Sequence, residues 1–181
     1  PRGNRIHGTP CISPAANRYF AGRRAAQKEP PEPDGRLIPA VVSTTSATGA
    51  SAARPKGAAK LPAVIVIHEN RGLNPHIEDV ARRAALEGFL ALAPDLLSPL
   101  GGTPTNQDTA RDMIGKLDGK QTVQNLGAAI TFLESHPHGN GRVGAMGFCW
   151  GGGMVGELAV NAPDLDAAVV YYGRQPKAAE V

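Results

Sequence analysis

Residues 147–151 read GFCWG, and the cysteine at their centre is a candidate nucleophile. Cys149 follows the apolar run VGAMGF (143–148) and leads into GGGMVGELAV. The residues two away on either side, Gly147 and Gly151, have no side chain. This spacing fits G-x-nucleophile-x-G, the elbow formed where a strand turns sharply into a helix. The corner residue takes strained backbone angles, and its side chain is held out at the top of a sheet. Any Cβ two positions away would collide across the turn, a demand that glycine meets. The opening amides of the new helix then face the reacting atom, where they stabilise an oxyanion or a thiolate. Serine is the usual occupant, and cysteine can replace it because a thiolate is strongly nucleophilic. The structural alternative is a small buried residue at a tight corner, a common place for free cysteine.

A second pattern overlaps the first. Gly151, Gly153 and Gly156 satisfy G-x-G-x-x-G after a strand and at the start of a helix, which is a dinucleotide fingerprint. That fingerprint places an acid near the tip of the next strand. Here the strand ends YYG, and Asp164 and Asp166 precede it. A second match, Gly139 to Gly144, stands before a strand and reads as a turn.

Glu69 is the other reactive side chain. It follows the apolar run AVIVI and His68 at a strand end, where a buried carboxylate needs a partner. Its alternative is a solvated loop acid. HENRG lacks a second histidine four residues on and is not a zinc motif, so no metal is expected. His68 and His76 read as structural or exposed. His136 and His138 fall in a turn before the strand that leads to Cys149, at the wrong end for catalysis. Trp150, Tyr171 and Tyr172 are candidates to line a pocket, with Trp150 adjacent to the nucleophile.

The elements that must position these groups are legible from Leu61 onward. AVIVI (63–67) is a continuous β-branched run suited to a strand buried on both faces. Asn74 is a candidate N-cap and Pro75 a first-turn residue. Ile77, Val80, Ala81, Ala84 and Ala85 then recur at helical spacing, and Gly88 can end the helix. FLALA (89–93) predicts a second strand, followed by the loop PDLLSPLGGTPTN. Helices are predicted over 108–117, 122–135 and 150–161, with strands at 143–148 and 167–172. Such alternation predicts an α/β fold with a mostly parallel sheet and helices on both faces. Reactive groups in these sheets collect beyond the C-terminal ends of the strands, where HEN and CWGG both fall. Residues 1–50 read as an irregular tail or linker, with a short strand possible in RLIPAVVSTTSA, and TGASAARPKGAAK as loop.

Taken together, PAVIVIHENRGLNPHIEDVARRAALEGFLALAPDLL, GKLDGKQTVQNLGAAITFLESHP, GRVGAMGFCWGGG and AAVVYYG resemble the dienelactone hydrolase family of α/β-hydrolases over about residues 50–176. The resemblance implies an α/β-hydrolase domain over 51–181. It implies Cys149 as nucleophile, Glu69 as the acid that holds and helps ionise the resting thiol, and the backbone amides of Asn70 and Trp150 as the oxyanion hole. The implied substrate is a small ester or lactone, and the implied reaction is hydrolysis of a cyclic enol ester (carboxymethylenebutenolidase chemistry) without metal or organic cofactor.

Two departures qualify the match. The family carries an arginine for the substrate carboxylate in the loop after PDL, where this chain has LSPLGG; Arg71 is the nearby candidate to replace it. The α/β-hydrolase order is nucleophile, acid, histidine, yet all five histidines (7, 68, 76, 136, 138) precede Cys149. The chain therefore reads as a hydrolase cut soon after YYG, with its last strands missing, AAVVYY left as an open edge, and little or no turnover. A rival reading uses that edge to pair with a partner, as a non-catalytic interaction module. A dinucleotide-binding domain is the third.

Composition narrows the classes. The 181 residues suit about one domain, with 41% hydrophobic and 19% charged residues. Aromatics at 4% argue against a nucleic-acid stacking surface. The net charge of +3 conceals ten Lys/Arg against three Asp/Glu in residues 1–60, and nine against thirteen in 61–181. The basic excess thus belongs to the tail, where it shows no helical or strand pattern. Cys11 and Cys149 do not suggest a disulfide scaffold. No apolar run approaches the ~20 residues of a membrane span. A cytoplasmic location is expected. Arg23-Arg24 as the remnant of a twin-Arg signal would instead indicate the periplasm, but no apolar stretch follows.

Overall fold

A computed structural model describes residues 43–45, 49–58 and 60–176. Six strands form one sheet: β1 (Ser43–Thr45), β2 (Ala50–Ala53), β3 (Leu61–Ile67), β4 (Leu90–Pro94), β5 (Gly139–Phe148) and β6 (Ala167–Tyr171), in the order β1-β2-β4-β3-β5-β6. The β4-β3-β5-β6 ladder is parallel, while β1 and β2 are antiparallel additions beside β4. The helices are α1 (Pro75–Leu86), α2 (Gln107–Ile114), α3 (Gly119–Glu134) and α4 (Trp150–Asn161), with a short 3-10 turn at Ser98–Leu100.

Local chemistry accounts for most boundaries. Asn74 caps α1, its side-chain oxygen accepting from the Ile77 amide at 3.1 Å, and Pro75 opens the helix. Asn106 and Asp118 cap α2 and α3 in the same way. Gly88, at φ +94°, turns the chain from α1 into β4. The apolar strands have helices on both sides because their side chains alternate. Val64, Val66, Ala91 and Ala93 meet Ile77 and Ala81 of α1 on one face. Ile65, Ile67, Leu92, Val143 and Ala145 meet Leu126, Ile130 and Leu133 of α3 and Val155 and Leu158 of α4 on the other. Burying each such Leu, Ile or Val contributes roughly 1.5–3 kcal/mol.

Several boundaries differ from the sequence expectation. The stretch read as small-residue loop contains β2, whose Ser51 and Ala53 are buried while Ala50 and Ala52 are partly so. Alanine and serine carry no β-branched signal, and their strand is induced by pairing with β4. β1, by contrast, falls within RLIPAVVSTTSA, where a short strand was expected, and pairs antiparallel with β2. β5 starts at Gly139, inside the expected turn, because Leu61 pairs there across an irregular register step. The helix expected to run to Leu117 stops at Ile114, before Gly115, and α3 begins at Gly119, after its Asp118 cap. Among the described residues β6 is a sheet edge, with Val170 and Tyr171 exposed. The expectations for Cys11 and for the Arg23-Arg24 pair lie outside the described residues.

Candidate active site

Register brings the candidate residues to one end of the sheet. In the β3–β5 ladder Ile67 lies opposite Gly147, and in the β5–β6 ladder Phe148 lies opposite Tyr171. One or two residues further along each strand, Glu69, Cys149 and Tyr172 stand in a row beyond three adjacent C-terminal ends. Cys149 occupies the middle.

The backbone at Cys149 has the elbow's strain. Its φ of 54° and ψ of −116° are unusual for any residue with a Cβ. The Cys149 amide donates to the Tyr171 carbonyl at 3.1 Å, and its carbonyl accepts from the Gly153 amide at 3.1 Å, opening α4. A Cβ on Gly147 would strike the carbonyl of Gly151, and one on Gly151 would strike the carbonyls of His68 and Ile67. The thiol is free and half-buried, not sealed in the core. The glycines of the dinucleotide pattern also have protein neighbours. Gly151 lies against β3, and Gly156 lies against Pro176. Close packing of α4 onto β3 and onto the segment that follows β6 therefore accounts for two of the three.

Glu69 is half-buried, and its Oε1 accepts from the Tyr172 hydroxyl at 2.7 Å. The resemblance implies a carboxylate that holds the resting thiol; here the phenol is its donor. A phenol is a much stronger donor than a thiol; Tyr172 is itself largely exposed and takes a left-handed backbone, φ 41°. The hydrogen bond to Glu69 raises the Tyr172 pKa above the usual tyrosine range, with desolvation and the charges of Glu69 and Cys149 adding to it.

His68 organises the floor of the site. It is fully buried, and burial lowers its pKa from 6.5, which keeps the ring neutral. Its Nε2 faces the Leu96 amide at 3.2 Å and must accept, so Nδ1 carries the proton and donates to the Glu69 carbonyl at 2.7 Å. No described peptide is cis. The amide of Asn70 therefore points opposite to the carbonyl that His68 holds. The same ring stacks on Trp150 at 5.5 Å and 19°. Both residues named for the oxyanion hole thus contact, or directly follow a group held by, one imidazole. The Trp150 indole is partly buried and also packs against the cluster of Leu97, Ala110 and Ile114. What Trp150 presents to the site is the first amide of α4, a group with no partner inside its own helix.

A second polar knot fixes the loops. Asp95 accepts from the amides of Leu97 (3.0 Å) and Thr103 (2.7 Å) and from the Thr103 hydroxyl (2.7 Å). That hydroxyl in turn accepts from the Leu73 amide at 2.8 Å, joining the loops after β3 and β4. Sequence reading left this stretch as plain loop; a signal existed in Asp95, the acid just past an apolar strand. Arg71 is exposed and has no ion pair among the described residues. His76 is exposed on α1, and His136 and His138 lie before and beside the start of β5, at the opposite sheet end. Grooves of about 580 Å³ and 770 Å³ lie along α3, away from Cys149.

Comparison with known proteins identifies the family and the fold. The family model described as "Dienelactone hydrolase family" matches residues 48–181. A Methylorubrum extorquens protein named "Putative carboxymethylenebutenolidase" is 36% identical over 126 residues, 67% of this chain and 43% of that one. "Putative hydrolase fragment YghX" of Escherichia coli (strain K12) is 59% identical over 63 residues, 35% of this chain and 54% of that one. A crystal structure named "Putative Dienelactone Hydrolase" from Klebsiella pneumoniae superposes with a TM-score of 0.64 at 36% identity, covering 71% of this chain and 55% of that one. The chain spans about half the length of the curated relatives it matches.

Proposed function

Because the chain belongs to the dienelactone hydrolase family, we propose that it carries the nucleophile side of an enzyme that cleaves a small ester or lactone, with Cys149 as the attacking group. The observation that carries this reading is the strained Cys149 backbone at the β5–α4 junction, with glycine contacts on both sides. The thiolate attacks the carbonyl carbon and a C–S bond forms. The carbonyl oxygen becomes an oxyanion, which the Trp150 and Asn70 amides receive. The C–O bond then breaks, leaving a thioester on Cys149 and an alkoxide or, for a cyclic enol ester, an enolate; the leaving oxyanion then takes a proton from water.

Water must cleave that thioester, and it needs a general base. No histidine follows Cys149 in the 181 residues. His68 has both ring nitrogens engaged, and His136 and His138 sit at the other end of the sheet. These 181 residues therefore acylate and stall. Arg71 is the cation nearest in sequence to the site for an acidic substrate, and no metal or organic cofactor enters the scheme.

An activated aryl ester tests this. One equivalent of phenolate is released in a burst, with a matching acyl mass on the Cys149 peptide, and Cys149→Ala removes both. Steady multiple turnover that survives Cys149→Ala defeats the reading.

A further inference from the structure

His68 is a buried titratable side chain that moves no proton in the scheme above. It directly follows β3 and is fully buried. Both ring nitrogens are engaged, Nδ1 with the Glu69 carbonyl at 2.7 Å and Nε2 with the Leu96 amide at 3.2 Å. One face stacks on Trp150 at 5.5 Å. Two hydrogen bonds and a stack hold the ring in one orientation. An aliphatic side chain would fill the same space without the desolvation cost of an imidazole. What the imidazole adds is its two directed hydrogen bonds. The segment also borders the elbow. The His68 carbonyl lies so near the first turn of α4 that a Cβ on Gly151, two residues after Cys149, would strike it.

The Glu69 carbonyl and the Asn70 amide are opposite ends of one planar peptide, so fixing the first aims the second. We propose that His68 is a positioning residue for acyl transfer: by holding the Glu69 carbonyl it fixes the direction of the Asn70 amide that receives the oxyanion. This rests on the reading of Cys149 as nucleophile and of that amide as an oxyanion donor. The Leu96 amide supplies the anchor on the far side of the ring, so the loop after β4 takes part in aiming the loop after β3. Preorganised donors are effective because they need no reorientation when charge develops. A peptide free to tilt loses that advantage even when the amide itself is still present.

The experiment compares two reactions of Cys149 in the full chain, in a Cys11→Ala background so that Cys149 is the thiol observed. Acylation by an activated aryl ester passes through an oxyanion. Alkylation by iodoacetamide displaces iodide and forms none. Dividing the first rate by the second cancels any change in the thiolate fraction. Asparagine carries its amide nitrogen at the δ position, as Nδ1 is, and keeps a donor for the Glu69 carbonyl. Glutamine carries its oxygen at the ε position, as Nε2 is, and keeps only an acceptor for Leu96. His68→Gln is expected to lower the ratio about 10- to 100-fold, and His68→Asn to restore most of it. An unchanged ratio in His68→Gln overturns the inference. So does an equal fall in both variants, which assigns the effect to lost packing. The parent supplies a test that needs no variant. Nitrogen NMR of the isotope-labelled chain is expected to show His68 protonated at Nδ1 and bare at Nε2, and the opposite tautomer overturns the inference. Failure of Cys149 to acylate or alkylate in the parent removes the nucleophile reading and this inference with it. Normal rates whose ratio ignores His68 remove only this inference.

Discussion

At the residue scale, Cys149 combines chemistry with cost. A Cβ at φ 54°, ψ −116° stores strain on the order of 1–3 kcal/mol. Only a surrounding structure that overdetermines the corner can hold it there. The glycines at 147 and 151 and the amide bond to Tyr171 do so. Cys149→Gly removes the Cβ and is expected to be more stable than Cys149→Ala by about 1 kcal/mol in urea denaturation, although glycine normally loses to alanine. A Gly variant less stable than the Ala variant would mean that the corner is not strained. Cys149 and its two glycines were readable in the sequence because an elbow is a local motif. The partner of Glu69 was not, since Tyr172 is 103 positions away and only strand register brings it near.

At the element scale, α4 must lie close enough to β3 and β6 for its opening amides to reach the site. Glycine is what permits this approach. A Cβ on Gly151 meets backbone carbonyls of His68 and Ile67, which cannot rotate aside as a side chain could. Two positions on, Gly153 sees only ordinary contacts of 3.7–3.9 Å around Arg174. Gly151→Ala is therefore expected to destabilise by about 2 kcal/mol or more through overpacking. Gly153→Ala is expected to stabilise by up to ~1 kcal/mol through helix propensity. Thermal or chemical denaturation of the two variants side by side checks the contrast, and equal effects contradict it. The helix and its glycines were visible as GGGMVG, but two readings competed for them, and the sequence alone could not say which backbone each glycine touches. Helix periodicity and the Asn74 cap were plain for α1, whereas β2 was missed because its Ala and Ser residues have no strand signature of their own.

At the scale of the whole molecule, one buried imidazole joins three parts of the fold. His68 bonds the Glu69 carbonyl after β3 and the Leu96 amide after β4, and stacks on Trp150 of α4. Burial depresses its pKa from 6.5, so the unfolded chain takes up a proton that the folded chain refuses. Stability from this source is fully present above pH 6.5 and is lost as pH falls toward the lower folded value. The urea midpoint is expected to drop between about pH 7.5 and pH 5. His136 shifts the same way, first by burial and then by His138 and Arg54. His136→Gln is therefore expected to keep most of the pH dependence and His68→Gln to lose most of it. A dependence that vanishes in His136→Gln and persists in His68→Gln contradicts the assignment.

The α/β class, the order of most elements, the elbow and the family resemblance were determined by the sequence itself. Each depends on short-range pattern: apolar runs, caps, and glycines two residues from a thiol. Tertiary structure alone decided the rest. It placed Glu69, Cys149 and Tyr172 in one row, turned His68 into the hub beneath the two candidate oxyanion amides, and seated the partly buried Trp150 ring against the core. Those outcomes follow from strand register and helix seating, which depend on long-range pairing free energies that no local window of residues contains.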